Sequence, residues 1–164
     1  PLVSADEYSV TIIDEDDEQS YVKVKEEEYS YTFAKEGLFT VNIQALNDVS
    51  ASLTSSILIR IDTTDPSGVI LSYPVDTLDS DSFPHTFKWS INSENKGSDI
   101  TDTLYIASDS LMKKEILQTS FLSTSSLSID TINSSTGKLY WKISRGDAAG
   151  NSNTEMPSKS FWIK

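Results

Sequence analysis

The amino-acid sequence predicts an all-β protein built from two tandem β-sandwich domains. Two stretches 100 residues apart follow one pattern, since GLFTVNIQALND begins at Gly37 and GKLYWKISRGD begins at Gly137. In each, a glycine precedes large residues at every second position, and the run ends in a loop rich in Asn or Asp. A period of two with β-branched and aromatic residues is typical of a strand with one buried face. The repetition therefore predicts two copies of one kind of sandwich domain.

The first predicted domain spans residues 1–62. Alternating apolar residues predict strands over 8–13, 21–24, 29–33, 38–46 and 57–61. The acidic run 14–18 is interpreted as a solvated hairpin tip, with a cation site as the alternative. Gly37 falls in a predicted turn, where glycine accepts a positive φ. Five strands are fewer than the seven of an immunoglobulin-like sandwich, so we expect this domain to be reduced or to lack its opening strands.

The second predicted domain spans residues 69–164 and follows a linker at 63–68. Pro66 cannot donate a ladder hydrogen bond and Gly68 allows a bend, so strand pairing is expected to stop there. The predicted strands are 69–73, 86–91, 103–107, 127–129, 138–144 and 160–164. The segment 111–122 is consistent with either a helical turn or an edge strand protected by lysines.

The composition excludes several classes of function. The 164 residues include 25 acidic and 13 basic side chains, and the net charge of -12 disfavours nucleic acid and anionic membranes. The chain has no cysteine, which excludes disulfides, thiolate metal sites and cysteine nucleophiles. No apolar run approaches the ~18 residues of a membrane span, and no signal peptide is visible. We expect a monomer with no nucleic-acid partner and no inserted segment, whose anchoring signal lies outside this sequence.

The second domain resembles bacterial fibronectin type III-like and immunoglobulin-like domains. The residues that carry the resemblance are FKWS from Phe87, Tyr105, YWKI from Tyr140, DAAGN from Asp147 and the closing FWI from Phe161. They occur in the expected order and cover nearly all of 69–164. The resemblance implies an extracellular, non-catalytic module.

The first domain is similar to the C-terminal part of a polycystic-kidney-disease-type surface domain. The shared residues are Tyr31-Thr32-Phe33, Gly37, Phe39-Thr40-Val41, Ala45 and Asn47. The two resemblances together imply a tandem segment of a bacterial cell-surface or secreted protein. Such segments serve in adhesion, in ligand display or as rigid spacers, and the partner expected from the resemblance is a protein or glycan ligand at the cell surface.

Four oxygen-bearing residues form a candidate calcium site. Asp147 and Asn151 follow the predicted sixth strand of the second domain, and that loop is expected beside Asp62 and Asp65 at the domain entrance. Calcium takes six to eight oxygen ligands, which carboxylates and amides supply. The alternative is a plain turn in which Asp and Asn bond their own backbone and Gly150 takes a positive φ.

Three aromatic residues form a candidate ligand surface. Alternation along the predicted strands turns Tyr105, Tyr140 and Trp162 outward. Exposed aromatic rings can stack on sugar faces, as in carbohydrate-binding modules. The alternative is that they cover the flank of the sandwich or pack against the neighbouring domain.

The remaining motifs favour structural interpretations. Arg145, Gly146 and Asp147 spell the tripeptide that integrins bind, but they lie at a strand end. His85 is the single histidine and follows a proline at a strand entrance without a nucleophile-elbow motif, so we expect no enzyme. Asn133 begins a glycosylation sequence at 133–135. The sequence favours a non-catalytic adhesive or spacer segment, and the alternative is a glycan-binding accessory module of a glycan-uptake or glycan-degrading system.

Overall fold

The computed structural model describes residues 5–91, 97–133, 136–153 and 156–164. Most of the glycosylation sequence at 133–135 lies outside these ranges. The chain divides into two compact units, Pro1–Thr63 and Thr64–Lys164, called unit 1 and unit 2. Within the described ranges, the regular structure consists of strands and a single 3-10 turn at Ser80–Ser82. The two-residue periodicity therefore predicted the secondary-structure class correctly.

The described part of unit 1, residues 5–63, forms one antiparallel sheet of four strands. In chain order they are β1 (Glu7–Ile13), β2 (Gln19–Val24), β3 (Gly37–Leu46) and β4 (Ser55–Ile61). The strands lie in the order β2-β1-β3-β4. One face is apolar because alternation turns Val10, Ile12, Phe39 and Val41 to the same side, where all four are buried.

A segment without regular structure crosses the apolar face of unit 1. Residues 25–36, called the strap, contain the predicted strand 29–33, which the structure does not form. Phe33 packs its ring 4.6 Å from that of Phe39, and Tyr31 meets Phe33 edge-on at 5.0 Å. Of the three alternating aromatic residues, Phe33 packs on the buried face of the sheet, whereas Tyr29 and Tyr31 stay 45% and 39% exposed. The alternation at 29–33 therefore does not mark a paired strand. A cavity of about 570 Å³ lies between the strap and the sheet.

The acidic run 14–18 forms the tip of the hairpin between β1 and β2, as the sequence predicted. The Asp14 carboxylate accepts hydrogen bonds from the backbone N–H groups of Asp16 and Glu18, both at 2.9 Å. Lys35 of the strap lies 2.7 Å from the same carboxylate, and it also reaches Asp16 and Glu18 at 3.4 and 3.6 Å. One lysine thus fastens the strap to the hairpin tip.

The stability of unit 1 is expected to fall in acid because of Asp14. The hydrogen bond from Lys35 holds the pKa of Asp14 below its usual value of 3.8. A carboxylate with a lowered folded-state pKa stabilises the fold above its unfolded pKa, and this contribution is lost as pH falls through the folded value. Between about pH 6 and about pH 3, the free energy of unfolding should fall less in Asp14→Asn than in the parent. The measurement is urea unfolding followed by the amide NMR signals of unit 1. Asp17→Asn is the control, because it removes a charge from the same turn but not a partner of Lys35. Its loss of stability between these pH values should equal that of the parent.

Unit 2, as far as its residues are described, is a sandwich of two sheets. Its strands are β5 (Val69–Tyr73), β6 (Thr77–Leu78), β7 (His85–Ile91), β8 (Ile100–Ala107), β9 (Glu115–Leu122), β10 (Ser126–Ile129), β11 (Gly137–Asp147), β12 (Ser152–Asn153) and β13 (Lys159–Ile163). One sheet has the order β10-β7-β5, and the other β6-β13-β11-β8-β9 with β12 on β11. The segment 111–122 forms a turn followed by the edge strand β9. The edge-strand interpretation of this segment is therefore the correct one, not the helical turn. The two-residue strands β6 and β12 were not predicted.

The core of unit 2 is centred on Trp141 of β11. Its ring is fully buried, with edge-to-face contact to Phe87 at 5.1 Å. Phe87 in turn meets Phe161 at 5.6 Å, so strands of both sheets share one aromatic cluster. The Trp141 Nε1–H donates to the Pro74 carbonyl at 3.0 Å, which satisfies the one polar atom of the ring.

The residues predicted as a linker belong in large part to unit 2. The boundary between the units falls between Thr63 and Thr64. Pro66 is fully buried, and its carbonyl accepts a hydrogen bond from the Asn153 side chain at 3.2 Å. Ser67 accepts two hydrogen bonds from Arg145 through its carbonyl and its hydroxyl. Pro66 ends strand pairing, as expected, but the segment is held by the sandwich that follows it.

Candidate functional site

The predicted aromatic residues lie on one outward face of unit 2. Burial alternates along β11, β8 and β13, so that Leu139, Trp141 and Ile143 point into the core. The intervening positions face outward and include Tyr105 on β8, Tyr140 on β11 and Trp162 on β13. Trp162 is 54% exposed, whereas the two tyrosines are half-buried. The outward placement of all three residues was predicted from alternation alone.

Two lysines alternate with these aromatic rings. In the antiparallel register, Trp162 lies opposite Lys138 and Tyr105 lies opposite Lys142. The Lys138 Nζ stands 5.4 Å from the centre of the Tyr140 ring, and the Lys142 Nζ stands 5.1 Å from that of Tyr105. These are cation–π distances. We call the diagonal row of these five side chains the aromatic–lysine ladder. Alternation along β11 places Lys138 and Lys142 on the face of Tyr140, but only the strand register places them beside Trp162 and Tyr105, which sequence reasoning missed.

The ladder is a small positive surface on an acidic protein. Among the described residues, neither Lys138 nor Lys142 lies within salt-bridge distance of a carboxylate. The other accessible outward positions of these three strands carry Thr and Ser side chains or, at Gly146, no side chain. From Trp162 to Tyr105 the ladder extends about 17 Å, taking ~3.4 Å per residue and ~4.8 Å between strands. It can accept an extended ligand with flat apolar faces and acidic substituents.

The candidate calcium ligands are divided between the units. Asp62 belongs to unit 1, and Asp65, Asp147 and Asn151 belong to unit 2. One Asp147 oxygen accepts the N–H groups of Ala149 and Asn151 at 3.0 and 2.9 Å, and the other accepts the Asn151 side-chain amide at 2.9 Å. These bonds close the turn. In the described ranges, no group of three or more Asp, Glu, His or Cys side chains is arranged to hold a metal ion. The calcium site stays a prediction.

Gly150 explains the sharpness of the same turn. Its φ is +98°, in the region that glycine accepts without steric cost, as the turn interpretation predicted. The Gly150 N–H donates to the Asp147 carbonyl at 3.2 Å, and the Asp147 N–H donates to the Asn151 carbonyl at 3.0 Å. The Asp147 loop is therefore closed by its own backbone as well as by the carboxylate.

The Arg145-Gly146-Asp147 tripeptide does not present its arginine. Arg145 is 2% exposed, and its Nε donates to an Asp102 oxygen at 2.9 Å, while Asp102 itself is fully buried. The two remaining guanidinium nitrogens donate to Ser67 and to the Ser123 hydroxyl. This geometry supports a structural role for the tripeptide and not the display of an integrin-binding motif.

His85 takes part in local packing at the start of β7. One of its ring nitrogens, Nε2, lies 2.9 Å from the Asp79 carbonyl, and its ring meets Phe83 edge-on at 4.5 Å. A backbone carbonyl and an aromatic ring are structural neighbours. They supply neither the nucleophile nor the orienting carboxylate of a catalytic triad.

Comparison with known proteins relates the chain to fibronectin type III domains through its fold. No family model matches it, and no curated protein does. Among solved structures, it is similar to the FN1-FN3 domains of chicken CNTN1, with 17% identity and a TM-score of 0.50 over 94% of this chain and 55% of that one. It therefore spans about half the length of that fragment. A two fibronectin type-III domain segment from chicken tenascin is 11% identical over 100% of this chain and 87% of that one, with a TM-score of 0.35.

The predicted fold class is confirmed: the chain has the all-β fold of tandem fibronectin type III-like and immunoglobulin-like sandwich domains. Unit 2 shows both sheets of the sandwich, whereas the described part of unit 1 shows one. The bacterial origin and the likeness of unit 1 to a polycystic-kidney-disease-type domain stay predictions. Among the described residues, no helix has the length and apolar character to cross a membrane.

Proposed function

We propose that this chain is a non-catalytic segment of a bacterial cell-surface or secreted protein that acts in adhesion or as a rigid spacer. The observation that carries the proposal is the tandem arrangement of two β-sheet units in a fibronectin type III-like fold. In such a segment the sheets hold the binding face in a fixed geometry, and the number of units sets the reach. A fold alone does not define a function, so the proposal needs a mechanical test and a binding test.

Two features of the units support a role in bearing load. In unit 2, Arg145 joins the chain entrance at Ser67 to β8 and to the loop after β9 through four hydrogen bonds. In unit 1, Lys35 fastens the strap to the hairpin tip. Both fastenings link segments that are distant in sequence, and such links resist partial unravelling of a sheet.

Single-molecule pulling between the two termini should show two separate unfolding events. Unit 1 has 63 residues and unit 2 has 101. Because an extended chain spans up to ~3.5 Å per residue, the events should release about 20 nm and about 35 nm of chain. Asp102→Ala should lower the force of the longer event and leave the shorter one unchanged. Extension without discrete events would contradict the spacer proposal.

A second candidate function is glycan binding. It is favoured by one observation, the lining up of Tyr105, Tyr140 and Trp162 on one outward face. Aromatic rings that cover a flank are usually buried by what they cover, but Trp162 remains more than half exposed. In this reading the chain is an accessory module of a surface glycan-uptake or glycan-degrading system. A glycan array tests it directly.

A further inference from the structure

We propose that the aromatic–lysine ladder binds oligosaccharides that carry acidic sugars. Sugar faces would stack on Trp162 and on the exposed sides of the tyrosines, and the acid groups would pair with Lys138 and Lys142. The inference rests on the glycan-binding candidate and adds the class of glycan.

The lysines are available to an acidic ligand. Each ammonium carries three N–H donors, and a cation–π contact turns only one side of it toward a ring. Within the described residues, neither Lys138 nor Lys142 has a carboxylate partner. Hydrogen bonds between an ammonium and a carboxylate are shorter and stronger than neutral ones. The tyrosine rings also restrict the lysine side chains, which lowers the entropy lost when a ligand binds.

The spacing of the lysines fits a ligand with separated charges. Lys138 and Lys142 are four residues apart on β11, which is about 14 Å between their Cα atoms. Tyr140 lies between them on the same face, so cation and aromatic ring alternate along the strand. A saccharide chain offers the same alternation when acidic sugars are separated by neutral ones.

The overall charge argues against densely charged partners. The chain carries a net charge of -12, and two lysines do not offset that field for a polymer that extends beyond the ladder. At physiological ionic strength the field is screened over about 8 Å, so a short ligand with few acid groups experiences mainly the ladder itself. The ladder is therefore assigned to sparsely acidic oligosaccharides and not to nucleic acid, anionic lipid or a heavily sulfated polymer.

The test is an array that pairs each acid-bearing oligosaccharide with its neutral parent, for example sialyllactose with lactose, and that includes dextran sulfate as a dense polyanion. The full chain should bind the acid-bearing oligosaccharides more tightly than their neutral parents, and it should bind dextran sulfate no more tightly than those acid-bearing oligosaccharides.

For the best binder, Lys138→Gln with Lys142→Gln should weaken affinity about tenfold or more. Lys25→Gln with Lys88→Gln removes the same charge from exposed positions elsewhere and should leave affinity unchanged. Trp162→Ala should also weaken binding. All variants should keep their melting temperature within about 3 °C, because the substituted side chains lie on the surface.

The outcomes separate the inference from the function on which it rests. Equal binding of acidic and neutral partners, lost in Trp162→Ala but kept without the two lysines, would overturn the acidic-sugar inference and leave glycan binding standing. Binding that survives both Trp162→Ala and the lysine substitutions would show that the ladder is not the binding site. Selective binding of dextran sulfate would overturn the preference for sparse charge. Binding to no member of the array would overturn the inference and the glycan candidate together.

Discussion

Trp141→Ala is expected to destabilise unit 2 by about 3–5 kcal/mol, which is comparable to the whole stability of a small domain. The side chain is fully buried and packs edge-on against Phe87, so its removal leaves a cavity between the two sheets. The Pro74 carbonyl would also lose its donor in a buried place, which adds to the cost. The melting temperature of unit 2 should fall by at least about 12 °C, if the variant folds at all.

The measurement is urea unfolding followed by tryptophan fluorescence. All three tryptophans, Trp89, Trp141 and Trp162, lie in unit 2, so the signal reports that unit alone. Trp141→Phe keeps much of the apolar volume but removes the N–H, and it should cost about 1–3 kcal/mol. Trp162→Ala is the matched surface control and should cost less than about 1 kcal/mol. A Trp141→Ala protein with an unchanged unfolding midpoint would show that β11 does not lie at the centre of the core.

The sequence contained most of the information about the sheets. Alternation located β3 and β11 because each has one buried face along its length, and the same alternation identified Tyr105, Tyr140 and Trp162 as outward. It failed at 29–33, where three aromatic residues alternate without forming a strand. In the strap only Phe33 packs against the core of unit 1, while Tyr29 and Tyr31 stay partly exposed. A short alternation of residue types can therefore occur without backbone pairing and without a fully buried face.

The buried charged pair of Asp102 and Arg145 shows a second limit of prediction from the sequence. Arg145 follows Leu139, Trp141 and Ile143 at the next inward position of β11, one residue beyond the predicted strand 138–144. A charged residue at a strand end normally reaches solvent, and nothing within β11 indicates otherwise. The partner, Asp102, is directly opposite Arg145 in the β8–β11 register. That register links residues 43 positions apart. The pair is therefore a consequence of tertiary pairing, as is the position of the ladder's lysines beside Trp162 and Tyr105.

Asp102→Ala is expected to destabilise unit 2 by about 3–5 kcal/mol, because it leaves the Arg145 guanidinium buried without its counter-ion. The two side chains are 0% and 2% exposed, so water cannot replace the lost partner without opening the sandwich. Arg145→Ala should cost a similar amount, since it strands the Asp102 carboxylate and removes the donors to Ser67 and Ser123. Arg145→Lys should not keep the stability of the parent, because one ammonium cannot reproduce the planar guanidinium that reaches three partners.

The double variant Asp102→Leu with Arg145→Met distinguishes an electrostatic pair from a general packing effect. Desolvation of two charges consumes much of the attraction between them, so replacement of both by apolar side chains should cost far less than the sum of Asp102→Leu and Arg145→Met measured singly. Urea unfolding by tryptophan fluorescence should then give a coupling free energy of at least about 2 kcal/mol in the cycle. Additive losses would mean that each side chain acts through its own packing. In that case the pair would not be the link that holds the chain entrance at Ser67 to β8 and β11, and the Asp102→Ala effect on the pulling force would need another cause.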